Sequence, residues 1–204
     1  MITDVLDGMS KSVRTRQRIV DAAASAFREH GYAGTRLSDI AERVGMKAGS
    51  LYYHFASREE LVAEILHLGI ESAWTHVRLA IEALPAEATA LDRLCVAIRA
   101  HTIAVLELSD YTSAQARIVG EVPADIGRAH RVEQRKYGEY WEGLLVAARD
   151  EGYIGTGVDL FTARMLAFGA MNWTAEWFNK ERGADAASVA DQAVAMMLYG
   201  LTSR

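Results

Sequence analysis

Cysteine, proline and long apolar runs are all scarce in this chain of 204 residues. The single Cys95 excludes an internal disulfide and fits a reducing compartment. With only two prolines, Pro85 and Pro123, most of the chain is free to be helical. No run of about 18 apolar residues occurs, and residues 1–13 lack an apolar signal core. A membrane partner is therefore not expected, and a cytoplasmic protein is. Internal repeats and low-complexity tracts are also lacking. The six histidines are scattered, with no H-x-x-x-H or H-E-x-x-H pair, and no P-loop, Rossmann or G-x-S-x-G fingerprint is present. No metal, cofactor or catalytic centre is expected from these residues.

What is present is helical in character. Half the residues are apolar, so the chain can bury a core. Alanine, leucine, glutamate and arginine are abundant, and all favour helices. The net charge of −5 is unevenly divided. Residues 9–58 hold nine basic and four acidic side chains, whereas residues 61–204 hold 13 basic and 19 acidic ones. A basic head on an acidic body suits one end that faces phosphates.

Residues 31–61, GYAGTRLSDIAERVGMKAGSLYYHFASREEL, carry the strongest signal. A first helix is expected from about Ser12 to His30, with Ile19, Ala23, Ala26 and Phe27 as its apolar stripe. Gly31 stops it. Ser38 is the expected cap of a short second helix that carries Ile40 and Val44 on one face. Gly45 then occupies a position where a helix ends with φ > 0. Gly49 opens a third short helix, with Leu51 and Phe55 inward and Ser50, Tyr52, Tyr53 and His54 on other faces. This is the plan of a helix-turn-helix, whose second helix enters the DNA major groove. Ser57 and Glu60 form the expected capping box of a long helix running to about Leu84.

The pattern G-x-x-x-T-x-x-x-I-A-x-x-x-G-x-x-x-G-x-L-Y-x-H-F-x-S-[KR]-E-x-L resembles the amino-terminal signature of TetR-family transcriptional regulators. Gly31, Thr35, Ile40, Ala41, Gly45, Gly49, Leu51, Tyr52, His54, Phe55, Ser57, Arg58, Glu59 and Leu61 carry it here. The resemblance implies that Tyr52 and His54 donate to phosphate oxygens, which positions the protein without reading sequence. Thr35 and Arg58, near the first turns of flanking helices, are expected to add phosphate contacts. Lys47, Ala48, Ser50 and Tyr53 are the candidates for base edges, and Gly49 lets the backbone come close. Lys47 departs from the family, many members of which have Ser or Thr there. It cannot cap the recognition helix.

The body reads as further helices over residues 88–108, 110–120, 123–151, 158–181 and 186–202. The resemblance implies two tasks for it, dimerising and holding a small molecule. Residues 160–175 and 189–201 are rich in Ala, Gly, Met and Leu, and Gly169, Ala170, Ala190, Ala193 and Gly200 would allow close helix approach. A plain intramolecular core would use the same residues. Symmetry favours the dimer, because palindromic operators need a two-fold protein. Tyr137 and Trp141 lie on one helix, and Asn172, Trp173, Glu176 and Trp177 on another, with Trp74 and His101 able to face them. Aromatic walls with a few polar groups suit a ligand site, although such residues fill cores equally well. The segment Met171–Phe178 also resembles regulators of fatty-acid, steroid and aromatic-acid catabolism, many of which answer to acyl-CoA thioesters.

The expected fold is all-α. It has a three-helix helix-turn-helix head with an N-terminal arm (residues 1–56) and a ligand-binding and dimerisation body (residues 57–204), about nine helices in all. The expected function is that of a homodimeric repressor on a palindromic double-stranded DNA operator. It would be released by an apolar or amphipathic effector, such as an acyl-CoA. Rivals are an activator or ligand-independent regulator, and a helical carrier or enzyme using the body cavity.

Overall fold

The computed structural model describes residues 10–179, 181, 183 and 185–199. Over these residues it is all-helical. The helices are α1 (Lys11–Gly34), α2 (Leu37–Arg43), α3 (Ala48–Leu51), α4 (Arg58–Glu82), α5 (Ala90–Ile103), α6 (Asp110–Ile118), α7 (Ala124–Asp150), α8 (Leu160–Trp177) and α9 (Ala186–Tyr199). Most of the expected N-terminal arm, and Gly200, lie outside the described residues. No helix among the described residues is long and apolar enough to cross a membrane.

Local chemistry sets the helix boundaries. Gly31 interrupts α1 with φ +70°, and Gly45 ends the α2 turn with φ +70°. Only glycine takes such angles without strain. Ser38 does not cap α2. Arg36 is the N-cap residue, and the Asp39 carboxylate accepts from the Arg36 N–H at 3.1 Å. An aspartate three residues in reaches the orphan N–H, so the helix starts earlier than a serine cap would place it. Ser57 does cap α4, its hydroxyl accepting from the Glu60 N–H at 3.1 Å. Glu60 reaches back one residue further than a capping box requires, to the Ala56 N–H at 2.6 Å. Thr89, Ser109 and Asp159 cap α5, α6 and α8 in the same way.

Residues 88–108 are not one regular helix. α5 gives way to a π-helical turn over Ala104–Leu108. There the Ser113 hydroxyl donates to the Val105 carbonyl at 2.6 Å.

Two cores result. Ile19, Ala23, Phe27, Ile40, Val44, Leu51 and Phe55 are buried together. Leu61, Val62, Ile65 and Leu66 of α4 close this core, with Ala114 and Ile118 of α6. Burying a side chain such as Phe27 contributes about 2–3 kcal/mol. The head therefore borrows part of its core from the body. The second core joins Ile70, Val77 and Ile81 of α4 to Leu94 and Ile98 of α5, Trp141 and Leu145 of α7, and Met171 of α8. α4 runs through both, and α6 packs against both α1 and α4.

Candidate functional site

The α3 helix and the turn after it form one end of the molecule. Lys47 is the N-cap residue and makes no side-chain cap bond; the Ser50 N–H is accepted by the Lys47 carbonyl at 2.8 Å. Burial of Leu51 and Phe55 turns the opposite residues outward. Lys47, Ala48 and Gly49 are exposed, Ser50 and His54 are half-buried, and Tyr52 and Tyr53 project, with Tyr53 89% exposed. A tyrosine that exposed contributes little to the fold of the isolated chain.

Two residues of the expected phosphate-contacting set are engaged within the fold. Thr35 is 2% exposed, and its hydroxyl can donate only to the Gly31 carbonyl (2.9 Å) or the Ala26 carbonyl (3.2 Å). It pins the break between α1 and α2. The guanidinium of Arg58 lies over the Tyr32 ring at 4.0 Å and donates to the Tyr32 carbonyl. The basic surplus of the head is also partly spent internally. Arg16 pairs with Glu64, Arg28 with Asp110 and Arg43 with Glu29. The composition thus overstates the positive charge free to meet DNA.

In the body, a cleft of about 970 Å³ opens along α7 and α8. Its inner wall is buried or half-buried and comprises Ile70 and Ala73 of α4, His101 of α5, Gln115 of α6, Tyr137 of α7, and Phe168 and Asn172 of α8. Its rim carries Arg128, Arg131 and Arg135, which the i, i+3, i+7 spacing places on one face of α7. These three arginines have no ion-pair partner among the described residues, whereas Arg164 is tied to the Gly138 carbonyl at 2.6 Å and to Glu142 at 3.1 Å.

His101 organises the inner wall. It lies 3.0 Å from the Tyr137 hydroxyl and 3.1 Å from the Asn172 carboxamide oxygen. Burial pushes its pKa down to about 4, so the ring is neutral near pH 7. With Nε2–H donating to Asn172, Nδ1 accepts from Tyr137. Trp141 and Phe168 each stand edge-on to the imidazole, at 5.8 and 5.2 Å between centroids. The unfolded chain binds a proton near pH 6.5 and the folded chain does so only near pH 4. Stability is therefore full above pH 6.5 and falls as pH drops. At pH 4.5 this one residue is expected to cost about 2–3 kcal/mol. Urea unfolding of wild type and His101→Asn at pH 7.5 and 4.5 tests it. The variant should lose less stability between the two pH values, and equal losses would rule out His101 as the source.

Of the residues expected to line a ligand site, His101, Tyr137 and Asn172 converge on this cleft. The other five do not. Trp74 packs behind Tyr137 (5.7 Å) and Tyr140 (6.1 Å), in a different groove. Trp141 is buried behind the wall. Trp173 is 65% exposed on the outer face of α8, and Trp177 is exposed too. Glu176 lies 3.8 Å from Arg117. α8 is apolar nearly all round, so its sequence period could not say which face meets the cleft. Gln115, Phe168 and the rim arginines were missed. The arginine stripe on α7 was the available signal.

A short exposed helix held by a helix-turn-helix core, with a separate cleft in a helical body, defines a DNA-binding regulator. The comparisons agree. The family model described as "Bacterial regulatory proteins, tetR family" matches residues 19–65, and that for "Tetracyclin repressor-like, C-terminal domain" matches residues 87–201. The chain belongs to the TetR family of transcriptional regulators, which bind DNA and are not enzymes. It is 29% identical over 200 residues to the HTH-type transcriptional repressor KstR2 of Rhodococcus jostii, covering 97% of this chain and 95% of that one. The structure of the ketosteroid transcriptional regulator KstR2 of Mycobacterium tuberculosis superposes with a TM-score of 0.76 at 25% identity, covering 97% of this chain and 98% of the other. The structure of AibR in complex with isovaleryl coenzyme A and operator DNA superposes with a TM-score of 0.79 at 22% identity, covering 90% and 98%.

Proposed function

We propose that the protein is a cytoplasmic repressor that holds a palindromic operator as a homodimer and releases it when an amphipathic effector, of the acyl-CoA kind, fills the cleft. The observation that carries this reading is the cleft itself, which has a largely apolar interior and a rim of three arginines without an ion-pair partner among the described residues. An effector with a polyanionic end and a buried apolar part matches both. The likeness to KstR2 repressors supports the repressor role. AibR, a protein of the same fold, has been seen with both an acyl-CoA and operator DNA.

On the operator, Tyr52 and His54 hold phosphates, while Lys47, Ala48, Ser50 and Tyr53 meet base edges and Gly49 allows close approach. The cleft reaches the head through α6. Gln115 lines the cleft, and the same helix is fastened to α1. The Tyr111 hydroxyl bonds to Asp21 and accepts from Gln17 at 2.7 Å, and Arg117 donates to the Arg28 carbonyl at 3.1 Å. Just beyond α6, Glu121 accepts from the Tyr32 N–H at 2.9 Å. An effector that binds one α6 position better than another shifts the two heads by differential affinity. The head unit of residues 1–56 and the body unit of residues 57–204 would thus move against each other while sharing α4.

A gel shift on DNA from beside its own gene, with and without decanoyl-CoA, tests the reading. Wild type should bind and then release. Arg131→Ala with Arg135→Ala should bind the operator normally and need at least about tenfold more thioester, since each lost charge-assisted bond is worth about 1.5–3 kcal/mol. No shift on any such DNA would remove the regulator reading. An unchanged thioester requirement would remove the rim from the effector site.

A further inference from the structure

The innermost wall of the cleft is more polar than an acyl chain requires. Four helices bring hydrogen-bonding side chains to it, His101 from α5, Gln115 from α6, Tyr137 from α7 and Asn172 from α8. Both ring nitrogens of His101 are engaged, by Tyr137 and by the Asn172 oxygen. The Asn172 amino group is left as a donor. The Gln115 carboxamide is nearly buried and has no hydrogen-bond partner among the described residues, which leaves it a donor and an acceptor. Its stem is fixed, because α4 passes so close at Gly69 that a Cβ there would stand 2.5 Å from the Gln115 Cβ. No ionised side chain belongs to this inner wall. Of the charges of the cleft, Arg128, Arg131, Arg135, Glu139 and Glu142 stand exposed on α7 at the rim, and the half-buried Arg164 of α8 is already engaged by the Gly138 carbonyl and Glu142.

Taking the cleft as the effector site, we propose that Gln115 and Asn172 select an effector whose buried end carries a neutral oxygen, a carbonyl or a hydroxyl. A plain hydrocarbon end would cover these amides without partnering them. Sites built to hydrogen-bond a ligand oxygen discriminate strongly against the analogue that lacks it, because their own polar groups are then left unpaired. A carboxylate at that end would meet no cation and would lose its hydration. The oxygen would also bond directly to α6, the helix fastened to the head, so occupancy and release become linked through Gln115.

The test uses the full-length protein and coenzyme A thioesters of one chain length: decanoyl-CoA, and a set of decanoyl-CoAs with a single oxo or hydroxy group at successive positions towards the chain end. Affinity is read by calorimetry. In wild type, the best oxygenated thioester is expected to bind at least about tenfold tighter than decanoyl-CoA. In Gln115→Met and in Asn172→Leu, that preference should shrink to about threefold or less, with decanoyl-CoA bound at least as well as by wild type. Thermal melts confirm folding, and the retained decanoyl-CoA binding confirms an intact cleft. A wild type that prefers decanoyl-CoA, or a preference that survives both substitutions, overturns the selection by Gln115 and Asn172 and leaves the cleft reading standing. Failure of every thioester to bind overturns the cleft reading and this inference with it.

Discussion

Replacing Leu166 and Trp173 together by glutamate is expected to give a folded monomer whose operator affinity has fallen at least about a hundredfold, because a bivalent complex exceeds either half-site by about 10²–10⁴. The expectation starts from an unusual surface. α8 and α9 leave Leu166 70% exposed, with Phe161, Met165, Trp173, Trp177, Met196 and Tyr199 also open to solvent. Large apolar side chains left open in this number mark an interaction site. A second copy is the proposed occupant, since palindromic half-sites require two recognition helices related by a two-fold axis. Gly169, which shares this region, has no atom within 4 Å of an added Cβ, so bulk there meets nothing in its own subunit. Two glutamates would bury unpaired charge in any interface formed here. Sedimentation and a gel shift measure the outcome. A double variant that stays dimeric and keeps its operator affinity would place the interface elsewhere.

The reassignment of Trp173 marks where sequence reasoning reaches its limit. Along the head, each local signal has one physical outcome. Gly31 and Gly45 take positive φ, Ser57 caps, and the stripe of Ile19, Ala23, Ala26 and Phe27 can face only one core. Local and tertiary preferences agree there, so the elements were readable. α8 offers no such guidance. It must serve a core through Met171, a cleft through Phe168 and Asn172, and an outer face through Trp173, and all three want apolar residues. Only the packing of α8 against α5, α6 and α7 decides which residue meets which surface. The π-helical turn after Ile103 was unreadable for a related reason. It packs against the next helix, where a hydroxyl eight residues away donates to it.

Arg58 shows the converse case, where a residue expected at phosphates is engaged within the fold. Arg58→Ala is expected to lower stability by about 2–4 kcal/mol, combining a lost ring–guanidinium contact with a lost charge-assisted hydrogen bond to the Tyr32 carbonyl. For a chain of this size, that corresponds to a fall in Tm of about 5–10 °C. The guanidinium stands 4.0 Å from the Tyr32 centroid and 5.9 Å from that of Phe27, and it donates to the Tyr32 carbonyl. It therefore joins the end of α1 to the first turn of α4, at the seam where the head meets the body. Arg58→Lys keeps the charge but not the planar group, and should recover only part of the loss. Salt dependence separates this task from a phosphate contact. Removing a phosphate-bound cation lowers the slope of log affinity against log salt by about one and leaves Tm alone. Loss of the seam lowers Tm, and operator affinity measured below the melt keeps its slope. A variant with unchanged Tm and a shallower slope would return Arg58 to the DNA.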